Sequence, residues 1–86
     1  MKEVLCVYST SACHLCDLAL RVIDAALSPD YFEKVIIDIA DSDELIELYG
    51  VRIPVLKVQR TGDELGWPFN EDDLIEFVNR VLFTDG

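Results

Sequence analysis

The sequence predicts an α/β domain in which a small four-stranded mixed sheet is flanked by three helices, in the order βαβαββα. Two short apolar, β-branched runs are separated by a segment whose apolar residues recur at spacings of three and four. Two further strand-like runs are joined by a glycine-containing turn, and an amphipathic segment follows them. A helical crossover makes the first two strands parallel, and a tight turn makes the last two antiparallel.

The first strand and the first helix come from two different apolar patterns. Residues 4–8 are apolar at both odd and even positions, which is typical of a strand buried on both faces. After the polar residues Ser9-Thr10-Ser11, a single helix face is predicted from Leu15, Leu18, Ala19, Val22, Ile23, Ala26 and Leu27. Ser28-Pro29-Asp30 ends this helix, because proline lacks an N–H donor and restricts the residue before it.

The second strand and the second helix are predicted to be short. Residues 35–39 indicate a second buried strand. Asp41 or Ser42 caps the next helix, and Asp41 with Glu44 resembles a capping box. The inner side of this helix is predicted to be Leu45, Leu48 and Tyr49. Gly50 suits a left-handed helix end.

A hairpin and a helix are predicted after residue 53. Residues 54–58 and 64–67 form the two strands, and residues 60–63 form the turn. Asn70 caps the last helix, and the acids of its first turn suit the positive helix end. Its buried stripe is predicted to be Leu74, Phe77, Val78, Val81 and Leu82.

Length and charge limit the classes of protein to consider. The chain has 86 residues, of which 51% are hydrophobic, so we expect one globular domain over residues 1–86. Seven Lys and Arg residues stand against 17 Asp and Glu residues, for a net charge of −10. Such a surface repels phosphate backbones and anionic lipid, so we expect no nucleic-acid or membrane partner. No secretory signal is visible, which favours the cytoplasm. We also expect the protein to be a monomer.

The chemistry-bearing motif is Cys13-His14-Leu15-Cys16, at the junction of the first strand and the first helix. Residues three apart on a helix bring their Cβ atoms to about 5–6 Å, and a modest tightening allows a disulfide. At the helix start, unpaired N–H groups and the helix dipole favour a thiolate at Cys13. The spacing therefore predicts Cys13 as the nucleophile and Cys16, one turn further in, as the resolving thiol.

Other interpretations of these and nearby residues stay open. A Cys-x-x-Cys motif can be half of a zinc site, but only Cys6 and His14 remain as further ligands. Cys6 is interpreted as a small buried hydrophobe, with a third redox thiol as the alternative. His14 either tunes the thiolate or is a surface residue without a role. Arg52 either favours the thiolate, holds a carboxylate, or is simply solvated.

The cysteine motif, the stretch Val51-Arg52-Ile53-Pro54-Val55 and the order of elements together resemble glutaredoxins and the small glutaredoxin-like proteins of bacteria. The resemblance covers essentially the whole chain and implies the thioredoxin fold. It implies that Pro54 is a cis-proline facing the cysteine pair. It also implies that the backbone of Ile53 pairs with a bound peptide or with glutathione, as an added strand would.

The sequence departs from glutathione-using glutaredoxins at three places. His14-Leu15 stands where Pro-Tyr is frequent, and no lysine shortly precedes Cys13. Glutathione-using glutaredoxins carry a Gly-Gly turn with an acid at the start of the last helix. Here the double glycine is absent and Trp67-Pro68 occupies that stretch, so Asp72 or Asp73 would have to replace the acid. These departures argue against a glutathione site.

Taken together, these features predict a thiol–disulfide oxidoreductase that acts on protein or mixed disulfides, with glutathione or a disulfide reductase as the electron donor. This chemistry implies no metal or organic cofactor. The alternatives are a redox-inert binding module of the same fold and a carrier of a metal or iron–sulfur cluster.

Overall fold

A computed structural model describes residues 2–11 and 13–83. Its elements are β1 (Glu3–Ser9), α1 (His14–Ala26), β2 (Phe32–Asp38), α2 (Asp43–Tyr49), β3 (Val55–Val58), β4 (Glu64–Gly66) and α3 (Glu71–Val78). A 3₁₀ turn, Ile39–Asp41, precedes α2, and a π-helical turn, Asn79–Phe83, follows α3. The order βαβαββα and the α/β class are therefore confirmed.

The sheet has the strand order β2-β1-β3-β4, so β1 and β3 are central. β1 and β2 are parallel and β3 and β4 are antiparallel, as predicted. β1 also pairs antiparallel with β3, and Tyr8 lies opposite Val55. The end of β1 and the start of β3 therefore lie side by side at one end of the sheet.

The two faces of the sheet carry two hydrophobic clusters, which explains why β1 is apolar at both parities. Leu5 and Val7 face the larger cluster, between the sheet and the helices α1 and α3. Cys6 and Tyr8 face the smaller one, with Ile39, Tyr49 and Val55. β1 is buried from Leu5 to Ser9, so the burial predicted for residues 4–8 is confirmed from Leu5 onward, whereas Val4 is only partly buried.

β2 differs from the buried strand predicted at residues 35–39. It starts at Phe32, ends at Asp38, and is an edge strand that pairs only with β1. Val35 and Ile36 remain 37% and 54% exposed. Because only one side of the strand is paired and the neighbouring helices do not cover these positions, an apolar sequence does not here produce burial. Ile39 is buried, but in the 3₁₀ turn after the strand.

The start of α2 corrects the predicted capping box. The Ser42 hydroxyl accepts a hydrogen bond from the Leu45 N–H at 3.3 Å, so Ser42 is the N-cap. Asp41 lies in the preceding 3₁₀ turn and does not cap α2 with Glu44. The Asp38 carboxylate caps that turn instead, by accepting from the Ala40 N–H at 2.9 Å.

The inner face and the end of α2 also differ from expectation. Tyr49 is buried, but Leu48 is 52% exposed because the two-turn helix covers only a narrow strip of the sheet. Gly50 is right-handed, with φ of −52°, so a left-handed stop is wrong. Close approach requires glycine here, because a Cβ would stand 2.5 Å from the Ile46 carbonyl oxygen.

The hairpin and α3 follow their local sequence signals. Gly62 takes a positive φ of 81° in the turn, which a residue with a side chain rarely adopts. Asn70 and Asp73 form a reciprocal capping box at the start of α3. Leu74, Phe77 and Val78 are buried, and Val81 and Leu82 pack against them from the π-helical turn.

Within residues 2–11 and 13–83, no helix is both long enough and apolar enough to cross a membrane.

Candidate active site

Cys13 is the N-cap residue of α1. Its backbone is extended, with φ of −91° and ψ of 104°, and its Sγ accepts a hydrogen bond from the Cys16 N–H at 3.2 Å. This N–H is one of the helix's first amide donors, which have no partner inside the helix. The sulfur of Cys13 therefore lies where an anionic thiolate would be stabilised by an amide and by the positive helix end.

Cys13 and Cys16 form a disulfide, with their Cα atoms 5.2 Å apart. The two cysteines differ in exposure, because Cys13 is partly exposed whereas Cys16 is only 3% exposed. An incoming disulfide can reach the Cys13 end of the pair, and Cys16 lies one turn behind it. The pair is therefore asymmetric, with the more exposed cysteine at the helix start and the buried one a turn inside.

Helix periodicity explains the burial of Cys16. Cys16, Ala19 and Ile23 lie on one face of α1, and all three are buried. Leu15, predicted to belong to this face, is instead an exposed large hydrophobic residue. It lies between the two cysteines in the first turn and is directed to solvent, as is its neighbour His14.

The Ile53–Pro54 peptide bond is cis, and Pro54 is fully buried. Pro54 directly precedes Val55, which pairs with Tyr8. The proline thus lies immediately before β3, at the end of the sheet where β1 ends and the chain continues to Cys13. The Ile53 N–H donates to the Tyr49 carbonyl at 3.1 Å, so this N–H is engaged within the chain.

A second cis bond, Trp67–Pro68, lies in the stretch that departs from glutathione-using glutaredoxins. The Trp67 N–H donates to the Pro54 carbonyl at 3.1 Å. The Trp67 ring packs edge-on against Phe69, with the ring centres 5.2 Å apart, and joins the larger cluster. Asp73 is engaged in capping, because its carboxylate accepts from the Asn70 N–H at 3.1 Å.

Arg52 is bound to groups of its own chain. Its guanidinium donates to Glu64 at 3.0 Å and lies 5.3 Å from the centre of the Tyr49 ring. The side chain is half-exposed. The structure therefore places Arg52 on a carboxylate, that of Glu64 on β4.

Glu64 accepts a second hydrogen bond, from the Tyr49 hydroxyl at 2.5 Å. This bond, and then the neighbouring Arg52 guanidinium, lower the pKa of Glu64 below its ordinary value. The same bond, together with burial, raises the pKa of Tyr49. Tyr49 also stacks on Tyr8, with ring centres 4.3 Å apart. We refer to Tyr49, Arg52 and Glu64 as the Glu64 cluster.

Cys6 and His14 are the other candidate metal ligands that the sequence offers. Cys6 is a free cysteine buried in β1, which fits its interpretation as a small hydrophobe. In the part of the chain that the structure describes, no three His, Cys, Asp or Glu side chains are grouped so as to hold a metal ion.

Comparison with known proteins decides the family. The sequence profile of the Glutaredoxin-like domain (DUF836) matches residues 4–79, from β1 to the end of α3. The chain belongs to this glutaredoxin-like family. No curated protein resembles the chain closely enough to count as a match.

Solved structures similar to this glutaredoxin-like protein include the following two. The X-ray structure of XcR50 from X. campestris is 34% identical, with a TM-score of 0.77, and the match covers 88% of this chain and 96% of that one. The solution structure of Ne2328 from Nitrosomonas europaea is 30% identical, with a TM-score of 0.68, and the match covers 90% and 92%. The architecture of the glutaredoxin-like chain is the thioredoxin fold.

Sequence reasoning missed Glu64 and the second cis-proline of this glutaredoxin-like protein. Glu64 opens a strand after a polar turn, where an acid is unremarkable. Its partner Tyr49 lies 15 residues earlier, on another element. The only available signal was the tyrosine at an inward position of α2, since a buried phenol usually finds a hydrogen-bond partner.

Proposed function

We propose that the chain is a thiol–disulfide oxidoreductase in which Cys13 attacks and Cys16 resolves. The observation that carries the proposal is the position of Cys13, a partly exposed residue whose sulfur caps α1 and is joined in a disulfide to the buried Cys16. The glutaredoxin-like family and the cysteine pair at the start of α1 support this reaction class.

The reduced protein would start the cycle. The Cys13 thiolate attacks one sulfur of a substrate disulfide, forms a mixed disulfide, and releases the other sulfur as a thiolate. Cys16, after losing its proton, attacks the Cys13 sulfur and releases the second substrate thiolate. The pair is left as the disulfide and the substrate has gained two electrons. A dithiol or low-molecular-weight thiol reductant, such as glutathione or a disulfide reductase, returns the pair to its reduced form.

The proposed substrates are protein or mixed disulfides. Pro54 and the Ile53 carbonyl would form the floor and one hydrogen-bonding edge of the substrate site, at the sheet end shared with β1. The net charge of −10 favours partners with a neutral or basic patch, because like charges repel on approach. We place this chemistry in a reducing cytoplasm, where a close cysteine pair serves exchange more often than structure.

Trapping the mixed disulfide tests the assigned roles. Reduced Cys16→Ser protein incubated with insulin whose disulfide bonds are intact should accumulate a covalent adduct at Cys13, because the resolving thiol is missing. Dithiothreitol should release it, and mass spectrometry of the digested adduct identifies the cysteine. Cys6→Ser serves as the matched control and should complete one exchange, ending as the Cys13–Cys16 disulfide without a trapped adduct.

A reversal of the trap would contradict the proposal. If Cys13→Ser accumulates the adduct through Cys16, the roles are exchanged. If neither single variant forms an adduct and the unmodified protein does not reduce insulin, the chain is a redox-inert binding module instead.

A further inference from the structure

Glu64 pairs with Arg52, the cationic residue that is nearest in sequence to the proposed substrate site. Arg52 directly precedes Ile53 and Pro54, at the sheet end where β1 leads to Cys13. An arginine at such a position is suited to bind a carboxylate, because its planar guanidinium presents several N–H donors in a fixed fork. Here the guanidinium is directed instead to Glu64 on β4.

Glu64 is itself held in place by two donors. One of its carboxylate oxygens accepts from Arg52 and the other from the Tyr49 hydroxyl. Tyr49 is buried and stacked on Tyr8, so the acceptor is tied to the core. The Tyr49 carbonyl also accepts from the N–H groups of Arg52 and Ile53. The segment before Pro54 is therefore fixed to Tyr49 by its backbone and to Glu64 by its side chain.

We propose that Glu64 is a specificity-determining residue that holds Arg52 away from substrate carboxylates and so directs the site to neutral and basic disulfides. This inference rests on the proposed function and names its substrate class. A free Arg52 would attract an anionic disulfide to an otherwise acidic surface, whereas the ion pair of Arg52 and Glu64 carries no net charge. Because the pKa of Glu64 is lowered, the cluster keeps this arrangement at neutral pH.

Two matched peptide disulfides test the proposal. The anionic probe is the symmetrical disulfide of acetyl-Glu-Cys-Ala-amide, and the neutral probe is that of acetyl-Gln-Cys-Ala-amide. The reduced full chain is mixed with an excess of each, and the second-order rate of Cys13–Cys16 disulfide formation is measured. The readout is the ratio of the anionic rate to the neutral rate, which a loss of packing alone does not change.

Glu64→Gln should raise this ratio about two- to fivefold, the size expected for one partly exposed charge contact. Asp63→Asn is the matched control, because it removes one negative charge from the neighbouring, exposed position of the same hairpin. It should raise the ratio less. Adding Arg52→Gln to Glu64→Gln should return the ratio to that of the unmodified protein, and Arg52→Gln alone should lower the ratio by leaving Glu64 uncompensated.

The outcomes separate this inference from the proposed function. An equal effect of Glu64→Gln and Asp63→Asn, or a ratio in the double variant that stays above that of the unmodified protein, overturns the specificity role while the oxidoreductase stands. If the unmodified protein reacts with neither peptide and does not reduce insulin, the proposed function fails and the specificity role fails with it.

Discussion

At the scale of single residues, Glu64 shows how a contact beyond the reach of local patterns organises the molecule. Its carboxylate joins the end of α2, the segment before Pro54 and the start of β4. The spacing of apolar residues on α2 predicts that Tyr49 faces inward. It does not predict the partner of the hydroxyl, because that partner is brought close only by the folding of the hairpin.

Tyr49→Phe tests the energetic part of this contact. The change removes only the hydroxyl and keeps the ring on Tyr8, so it should destabilise the protein by about 1.5–3 kcal/mol, as for other hydrogen bonds to charged groups. The measurement is the free energy of unfolding in urea. The matched control is Tyr31→Phe, at a tyrosine that is 69% exposed, and it should have little effect.

The pH dependence of that loss has a defined sign. The pKa of Glu64 is lowered from 4.5, so its contribution is complete above that pH and disappears as the pH falls through the folded value. The pKa of Tyr49 is raised from 10.0, so its contribution is complete below that pH and disappears as the pH rises further. The difference in the free energy of unfolding between wild type and Tyr49→Phe should therefore be constant from about pH 5 to 9 and become smaller on both sides of this range. A difference independent of pH down to about 3 would contradict the contact with an ionised Glu64.

At the scale of elements, α3 is the part of the chain that its sequence predicts best. Asn70, the acids of the first turn and the apolar stripe all act within a few residues of one another. Local signals of this kind do not depend on where the helix packs.

Asn70→Ala should destabilise the protein by about 0.5–2 kcal/mol, because one amide donor at the start of α3 loses its acceptor. Asn70→Asp is the matched variant and should retain stability, since aspartate caps helices equally well. Thermal unfolding of the three proteins measures the difference. Equal losses for both variants would show that the side-chain cap is not what stabilises the start of α3.

β2 shows why other elements were predicted less accurately. β1 and β2 are both rich in apolar, β-branched residues, but β1 is central and β2 is at the edge. The order of strands depends on whether the hairpin pairs with β1 or with β2, and the sequence of neither strand determines this. The prediction of a left-handed Gly50 was wrong for a related reason. Glycine is needed there because the Ile46 carbonyl lies too close for a Cβ atom, and not because the backbone takes a left-handed angle.

At the scale of the whole molecule, the sheet brings the parts of the candidate site to one end. Cys13 follows the end of β1, Pro54 precedes the start of β3, and Trp67 follows the end of β4. The cysteine pair and the cis-proline were predicted from spacing and family resemblance. The involvement of Trp67 with the Pro54 carbonyl follows only from the antiparallel pairing of β3 and β4.

The thiol titration of Cys13 tests the central claim most directly. In the reduced Cys6→Ser/Cys16→Ser protein, Cys13 is the only thiol, and its rate of alkylation by iodoacetamide is measured against pH. If the start of α1 stabilises the thiolate, the rate should be half-maximal clearly below about pH 8.5, the ordinary value for cysteine. A midpoint at or above that value would contradict the account and leave the chain as a thioredoxin-fold protein without an activated thiol.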